Sequence, residues 1–283
     1  MNALRFGGRT YLVRRPVVAF LSGAAVAVLG GLIGLGGAEF RLPILIMAFA
    51  IYAHRAVRIN LLISLATLAT AACVRLRYLE TTDVLAFMPE MAALATGGVA
   101  SAWVGAGALS RIPREKFLVV IALMLAVMSL VLIADSVLGT SAAAAIQGGA
   151  LVRVPVALVV GLAVGAVSSV LGVAGGEFII PSLIFLFGAD IKTAGTASVI
   201  IGIPIVIAGI VRHIKAGRFR SQSRLVHLVL PMSLGSVAGA LLGGYLTVGV
   251  PVAELRIALA AILLWSAIKL WRHPNTAKPK SAL

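Results

Sequence analysis

The chain has 283 residues, of which 61% belong to the apolar set AVILMFWYC and only 12% are charged. Soluble domains are about 45–50% apolar and about 25% charged, so this composition excludes an ordinary water-soluble fold. The 24 Lys and Arg residues outnumber the 9 Asp and Glu residues. They lie in short loops and tails between long apolar blocks, which indicates membrane orientation rather than nucleic-acid binding.

The first apolar run, Pro16–Ile33, follows a basic stretch that ends at Arg15. No small-residue cleavage site follows, so we expect this run to stay in the protein as its first membrane segment. Later apolar runs cover 43–53, 59–74, 84–109 and 117–134, and then 154–173, 178–188, 194–211, 225–250 and 257–270.

The short runs 43–53 and 178–188 occupy the same place in each half of the chain. A helix of that length rises about 16 Å, against a hydrocarbon core of about 30 Å. We therefore predict that these segments are re-entrant or broken half-helices.

The sequence repeats itself at an offset of 138 residues, most clearly where Gly30–Pro43 aligns with Ser168–Pro181. Self-similarity at a fixed offset indicates duplication of a structural unit. Identical pairs are Gly34/Gly172, Gly37/Gly175, Glu39/Glu177, Phe40/Phe178, Pro43/Pro181, Ala56/Ala194, Gly97/Gly235, Gly105/Gly243 and Pro113/Pro251.

We predict an all-α polytopic membrane protein with two tandem repeats, 16–138 and 154–272, and cytoplasmic tails at 1–15 and 273–283. Each repeat has a glycine-broken re-entrant helix pair and three further transmembrane helices. If each broken pair enters and leaves the membrane on one side, 18 Lys and Arg residues lie on the cytoplasmic side and 5 on the outer side. If each broken pair is instead a single crossing, the numbers are 16 and 7. The positive-inside rule favours the first arrangement, which inverts the second repeat and makes both termini cytoplasmic. In inverted-repeat transporters the substrate site lies where the broken helices meet.

Glycine clusters mark the two predicted breaks. They would allow sharp turns and a close approach to a ligand, and each precedes a helix start whose N–H groups attract anions. The alternative is that these glycines only allow tight helix packing. Two other series of small residues already suit that packing role: Gly97, Ser101 and Gly105, and Gly235, Gly239 and Gly243. The candidate ligand-binding glycines are Gly34, Gly36, Gly37, Gly172, Gly175 and Gly176.

Glu39 and Glu177 are equivalent acids in the first turns of the short helices. A carboxylate inside a bilayer is a functional candidate, so both are candidate substrate-binding and proton-coupling residues. The alternative is a helix cap or an ion pair between Glu39 and Arg41. Arg41, whose counterpart is Ile179, is either a counter-charge for an anion or the partner of Glu39.

Polar residues recur where the third run of each repeat begins: His54, Arg58, Asn60 and Ser64, then Lys192, Thr193, Thr196 and Ser198. Hydroxyl and amide donors suit an oxyanion that sheds its water, and we select Asn60, Thr196 and Ser198. The alternative is that these are loop residues at the membrane surface. We expect Arg75 and its counterpart His213 to be interface charges.

Nothing in the sequence predicts an enzyme, because HExxH, paired CxxC, GxSxG and GxxxxGK[ST] motifs are missing. We expect no cofactor, no metal and no nucleic-acid partner. The expected partners are a small anionic substrate and the lipid bilayer, and a homo-oligomer is left open.

The paired glycine–Glu–Phe–Pro elements, the Ala194–Ser198 stretch AGTAS and the two similar halves resemble the TauE/SafE family of sulfite exporters. The resemblance covers residues 16–270 and implies outward transport of sulfite, a sulfonate or another small anion across a bacterial inner membrane. Repeat one departs from the pattern, with Ala38 in place of Gly176 and AVRIN at 56–60 in place of AGTAS. An anion channel and a non-transporting scaffold are the alternatives to a secondary carrier.

Overall fold

A computed structural model describes residues 5–6, 9–10, 16–49, 51, 53–78, 82–108, 123, 126, 129–130, 133, 145–146, 148–217 and 226–272. Helices dominate this part of the chain, and β1 (Arg5–Phe6) pairs with β2 (Arg9–Thr10) in a short antiparallel ladder. The predicted tail 273–283 and most of the predicted run 117–134 lie outside the described residues.

Ten helices have described bounds, and their starts follow the repeat. The starts of α2 and α7, of α3 and α8, and of α5 and α9 are each 138 residues apart. The first set is α1 (Pro16–Ile33), α2 (Ala38–Met47), α3 (Ala53–Tyr78), α4 (Thr82–Ala86) and α5 (Met88–Ala108). The second set is α6 (Ala150–Leu171), α7 (Gly176–Phe187), α8 (Ile191–Lys215), α9 (Val226–Gly249) and α10 (Val252–Arg272).

Five of these helices contain stretches long and apolar enough to cross a membrane. The short helices α2 and α7 are not among them, as the short apolar runs predict. They begin earlier than those runs, however, because each starts directly after a glycine of the preceding turn. The membrane-crossing stretches are Pro16–Ile33, Arg55–Tyr78, Ala150–Ser168, Ile191–Lys215 and Leu228–Gly249.

Helices α3 and α8 pack against each other in opposite directions. Leu61 contacts Gly209, Leu68 contacts Gly202, and Arg75 contacts Gly195. The residue number falls along α8 as it rises along α3, and by extrapolation Ala66 lies opposite Pro204. Two helices at equivalent positions in the sequence repeat therefore run antiparallel.

Two parallel helix pairs join the halves of the chain. In the pair α1 and α9, Gly235, Gly239 and Gly243 lie against the carbonyl groups of Phe20, Ala24 and Val28. The pair α5 and α6 has the equivalent contact of Gly97 with the carbonyl of Leu158. The predicted packing role is confirmed for Gly97, Gly235, Gly239 and Gly243, because a Cβ on any of them would collide with the facing carbonyl oxygen.

The chain reverses between α1 and α2. The end of α1 lies beside the end of α3, since Arg75 Nη2 donates to the carbonyl of Leu32 at 2.8 Å. The end of α2 lies beside the beginning of α3, because Leu45 and Phe49 share an apolar cluster with Ile59. That cluster also contains Ala19 from the beginning of α1. Helix α2 therefore leads back toward the end at which α1 began.

Candidate functional site

Each short helix starts from a turn with left-handed backbone. The φ angles of Gly34, Gly36 and Gly37 are +94°, +81° and +71°, and those of Gly172 and Gly175 are +67° and +83°. These angles strain any residue other than glycine, which explains the glycine clusters. Neither helix start has a side-chain cap. The positive ends of two helix dipoles therefore lie at the turns without a capping side chain.

The two turns meet inside the protein. Asn60 Nδ2 donates to the carbonyl oxygen of Ala38 and to that of Gly172, both at 3.0 Å. Gly176 packs against the backbone of Leu35 and the hydroxyl of Ser198. One amide side chain thus bridges the start of α2 to the second turn.

Arg41 lies at this meeting point and has no exposed surface (0%). Its Nη1 donates to Asn60 Oδ1 at 3.4 Å and to Ser64 Oγ at 3.2 Å. Its Nη2 donates to the Gly36 carbonyl at 3.4 Å and to Thr67 Oγ1 at 3.1 Å. All four partners are neutral, and Nε has no partner among the described residues. The guanidinium is therefore held by neutral groups, while the carboxylate of Glu39 interacts with it electrostatically without a direct ion pair.

Glu39 is close in sequence to Arg41 but forms no ion pair with it in the described part of the chain. Both carboxylate oxygens of Glu39 are buried without a hydrogen-bond partner there. Its equivalent, Glu177, is also buried, with 5% of its surface exposed. The guanidinium turns toward α3, so the two side chains make no direct ion pair, but they interact electrostatically and the alternative of a Glu39–Arg41 pairing stays open.

Residues 19–270 of the chain match the protein family described as "Sulfite exporter TauE/SafE". The chain belongs to the TauE/SafE sulfite exporter family. Together with the five apolar helices, this membership makes it a membrane transport protein of the sulfite and anion exporter type. No curated protein and no solved structure gives a significant match to the chain.

In this TauE/SafE protein the two half-sites differ. Ile179 occupies the position equivalent to Arg41 and is equally buried, at 0% exposure. The positions equivalent to Ser64 and Thr67 hold Gly202 and Ile205. The cation and the hydroxyl groups that hold it are therefore present in repeat one and absent together at the matching positions of repeat two.

Arg75 is buried among helix ends, so it is not a solvent-exposed charge, and the predicted place at the membrane interface stays a prediction. It is 1% exposed, and it donates to the carbonyl oxygens of Gly31, Leu32 and Lys192. The C-terminal carbonyl groups of a helix attract a cation, which explains why a charge is tolerated there. Arg75 also donates to Thr196 Oγ1 at 3.1 Å.

The selected polar residues are buried in helices rather than exposed in loops. Asn60, Thr196 and Ser198 are exposed by 0%, 1% and 2%. Asn60 lies between the turns and Ser198 lies beside Gly176, whereas Thr196 accepts a hydrogen bond from Arg75. Of the candidates, the structure thus brings together both glycine turns, Arg41, Asn60 and Ser198.

The sequence analysis missed Thr67 and left Ser64 unselected. Asn60, Ser64 and Thr67 have the spacing i, i+4, i+7, which places them on one face of a helix. That pattern was visible in the sequence. The sequence did not show that this helix face is directed toward Arg41, because the geometry of the loop between the two helices could not be predicted.

Proposed function

We propose that the protein is a secondary carrier that exports a small oxyanion such as sulfite or an organosulfonate. The anion binds where the two glycine turns meet, and Arg41 is its principal counter-charge. The observation that carries the proposal is the complete burial of Arg41 where the two turns meet, with no direct ion pair among the described residues and with Nε lacking a hydrogen-bond partner there.

A buried cation without a direct ion pair is costly, because the protein interior replaces only part of its hydration. The hydroxyl and amide partners of Arg41 orient the guanidinium without neutralising it. An anion that reaches Nε would neutralise the charge and satisfy the one guanidinium nitrogen that lacks a partner. Because protein acceptors already occupy the Nη–H groups, the free Nε–H would donate one charge-assisted hydrogen bond to an oxygen of the anion, which suits an oxyanion substrate.

The contacts between the helices support an inverted repeat with re-entrant pairs. Equivalent helices α3 and α8 run antiparallel, and α2 leads back toward the beginning of α1. Two units inverted in this way are related by a pseudo-twofold axis in the membrane plane. That axis would pass between α3 and α8 near Ala66 and Pro204. The turns would then lie at the membrane interior, where inverted-repeat transporters bind their substrates.

The orientation that we propose places both termini in the cytoplasm of a bacterial inner membrane. It follows the excess of Lys and Arg in the loops on that side. Export of a monovalent anion from a negative interior then releases about 2.3 kcal/mol per 100 mV of membrane potential. That energy drives export without ATP.

Proton coupling would fall to Glu39 or Glu177 in the first turns of the short helices, since the carboxylate oxygens of Glu39 and the side chain of Glu177 are buried. Replacement by Gln keeps the shape and removes the proton-accepting charge. We expect E39Q or E177Q to make transport insensitive to a pH gradient while anion binding persists. Unchanged coupling in both variants would remove the proton role and leave the carrier intact.

The function is tested in proteoliposomes with a panel of sulfite, sulfonates, thiosulfate and short carboxylates. A carrier gives saturable uptake of at least one anion, and unlabelled anion on the opposite side accelerates it. Channel-like flux without such acceleration would overturn the carrier mechanism. No flux of any panel anion through correctly folded protein would overturn the proposed substrate class.

A further inference from the structure

Arg153, near the beginning of α6, joins three helices at one end of the molecule. Its Nε lies 2.9 Å from Oε1 of Glu90, near the beginning of α5. Its Nη2 donates to the carbonyl oxygen of Phe187, the last residue of α7, at 3.1 Å. The guanidinium also lies over the rings of Phe87 and Phe187, with Cζ 5.5 and 5.4 Å from their centroids. The end of the short helix α7 is therefore bound to both α5 and α6.

The last carbonyl groups of α7 accept hydrogen bonds from outside the helix. The backbone N–H groups of residues 145 and 146 donate to the carbonyls of Phe185 and Leu186, at 2.9 and 3.1 Å. Arg153 supplies the bond to the carbonyl of Phe187. The negative end of a helix dipole favours a cation at such a position. The end of α7 is thus held by hydrogen bonds and by charge.

The helices α5 and α6, to which Arg153 ties α7, are closely packed against each other. Gly161 lies against the carbonyl of Leu94, and Gly165 lies against the carbonyl of Gly98. A Cβ at either glycine would collide with the facing carbonyl oxygen. Such close backbone contact is a main source of helix association in membranes. Arg153 therefore attaches the end of α7 to a pair of helices that are themselves firmly joined.

The equivalent end of α2 is held differently. The positions equivalent to Glu90 and Phe187 are occupied by Leu228 and Phe49, which lie in one apolar cluster. Because Leu228 cannot accept an ion pair, the acid of the second arrangement is missing from the first, while Arg15, the equivalent of the arginine, lies outside the described residues. Apolar contacts between helices gain little over contacts with lipid. Charged bonds are stronger in a low-dielectric interior than in water.

We propose that Glu90 and Arg153 form a latch that holds the end of α7 on the α5–α6 pair. The side chain of Glu90 is only 4% exposed, so separating the pair leaves a buried carboxylate without its cation. Separation at the end of α2 exposes apolar side chains instead. The two short helices, although equivalent in the repeat, therefore do not open with equal ease. The latch does not depend on which solute is carried, so it can fail or hold independently of the proposed function.

Thiol reactivity measures how often each helix end opens. Ala189, two residues beyond α7, and its equivalent Ile51 are both buried, with 5% and 8% of their surface exposed. A189C and I51C are made separately in a C73A background, because Cys73 is exposed. Each purified protein reacts with a maleimide in detergent, and the rate is divided by that of the same protein in denaturant. E90Q keeps the shape of the side chain, and D83N, which removes an exposed acid from α4, is its control.

We expect E90Q to raise the relative rate at A189C about tenfold or more, as loss of a charged bond implies, and to leave I51C unchanged. R153Q should raise it further, because the bond to the Phe187 carbonyl is also lost. E90Q/R153Q should react no faster than R153Q, since the two side chains act as one unit. D83N should change neither rate. An unchanged rate at A189C in E90Q and R153Q, or an equal rise at both cysteines, would overturn the latch.

Discussion

Arg41 and Arg75 are equally buried, yet their surroundings differ in kind. Arg75 donates to carbonyls at the C-terminal end of α1, where the helix dipole is negative. Arg41 lies in the first turn of α2, where the dipole is positive, and most of its partners are hydroxyl or amide groups. The charge of Arg75 is stabilised by the fold, whereas in the proposed function the charge of Arg41 is satisfied by the transported anion.

The largest expected effect comes from R41I, which copies the buried Ile179 of the other half-site. Removing the counter-charge of a buried anion costs about 3–5 kcal/mol, so transport should fall roughly 100-fold or more. The measurement is the initial counterflow rate of the best panel anion. R77Q removes an exposed arginine in the last turn of α3, away from the turns; it is the control for loss of a positive charge and should keep its rate.

R75L should affect folding instead of recognition. Loss of its bonds to Gly31, Leu32, Lys192 and Thr196 should lower the free energy of unfolding by about 3 kcal/mol. Denaturant unfolding in detergent measures this loss, and the folded fraction should bind anions with nearly unchanged affinity. A stable R75L variant that no longer binds anions would reverse the roles assigned to the two arginines.

N60S places the residue of the second half-site, Ser198, into the first. A serine is too short to bridge the carbonyls of Ala38 and Gly172, so one or both bonds are lost. We expect about a tenfold increase in the KM for the anion, in line with about 1–2 kcal/mol for such bonds. An unchanged KM would show that the bridge between the turns does not position Arg41.

The smallest effect is expected for T67V, which keeps the side-chain shape and removes one acceptor of the guanidinium. Affinity for the anion should weaken by less than about fivefold, because three other acceptors remain. Titration of purified protein with the transported anion measures it. A loss as large as that in R41I would mean that Thr67 itself contacts the anion.

The sequence predicted the helical membrane class, the short helices after the glycine turns, and the family. These features depend on local composition and on the repeat, which the sequence displays directly. The burial of Arg75 and the placement of Thr67 beside Arg41 could not be predicted. Both depend on which carbonyl or hydroxyl of a distant segment approaches the side chain. The repeat offset shows which residues are equivalent in the two halves, but it does not show which residues touch.

Equilibrium binding of the panel anions to purified protein tests the role of Arg41 most directly, because it does not depend on coupling, orientation or direction. Wild-type protein and R77Q should bind at least one anion saturably and with equal affinity, while R41I remains folded and binds none measurably. Equal affinity in R41I and wild-type protein would contradict the assignment of Arg41 as the anion's counter-charge.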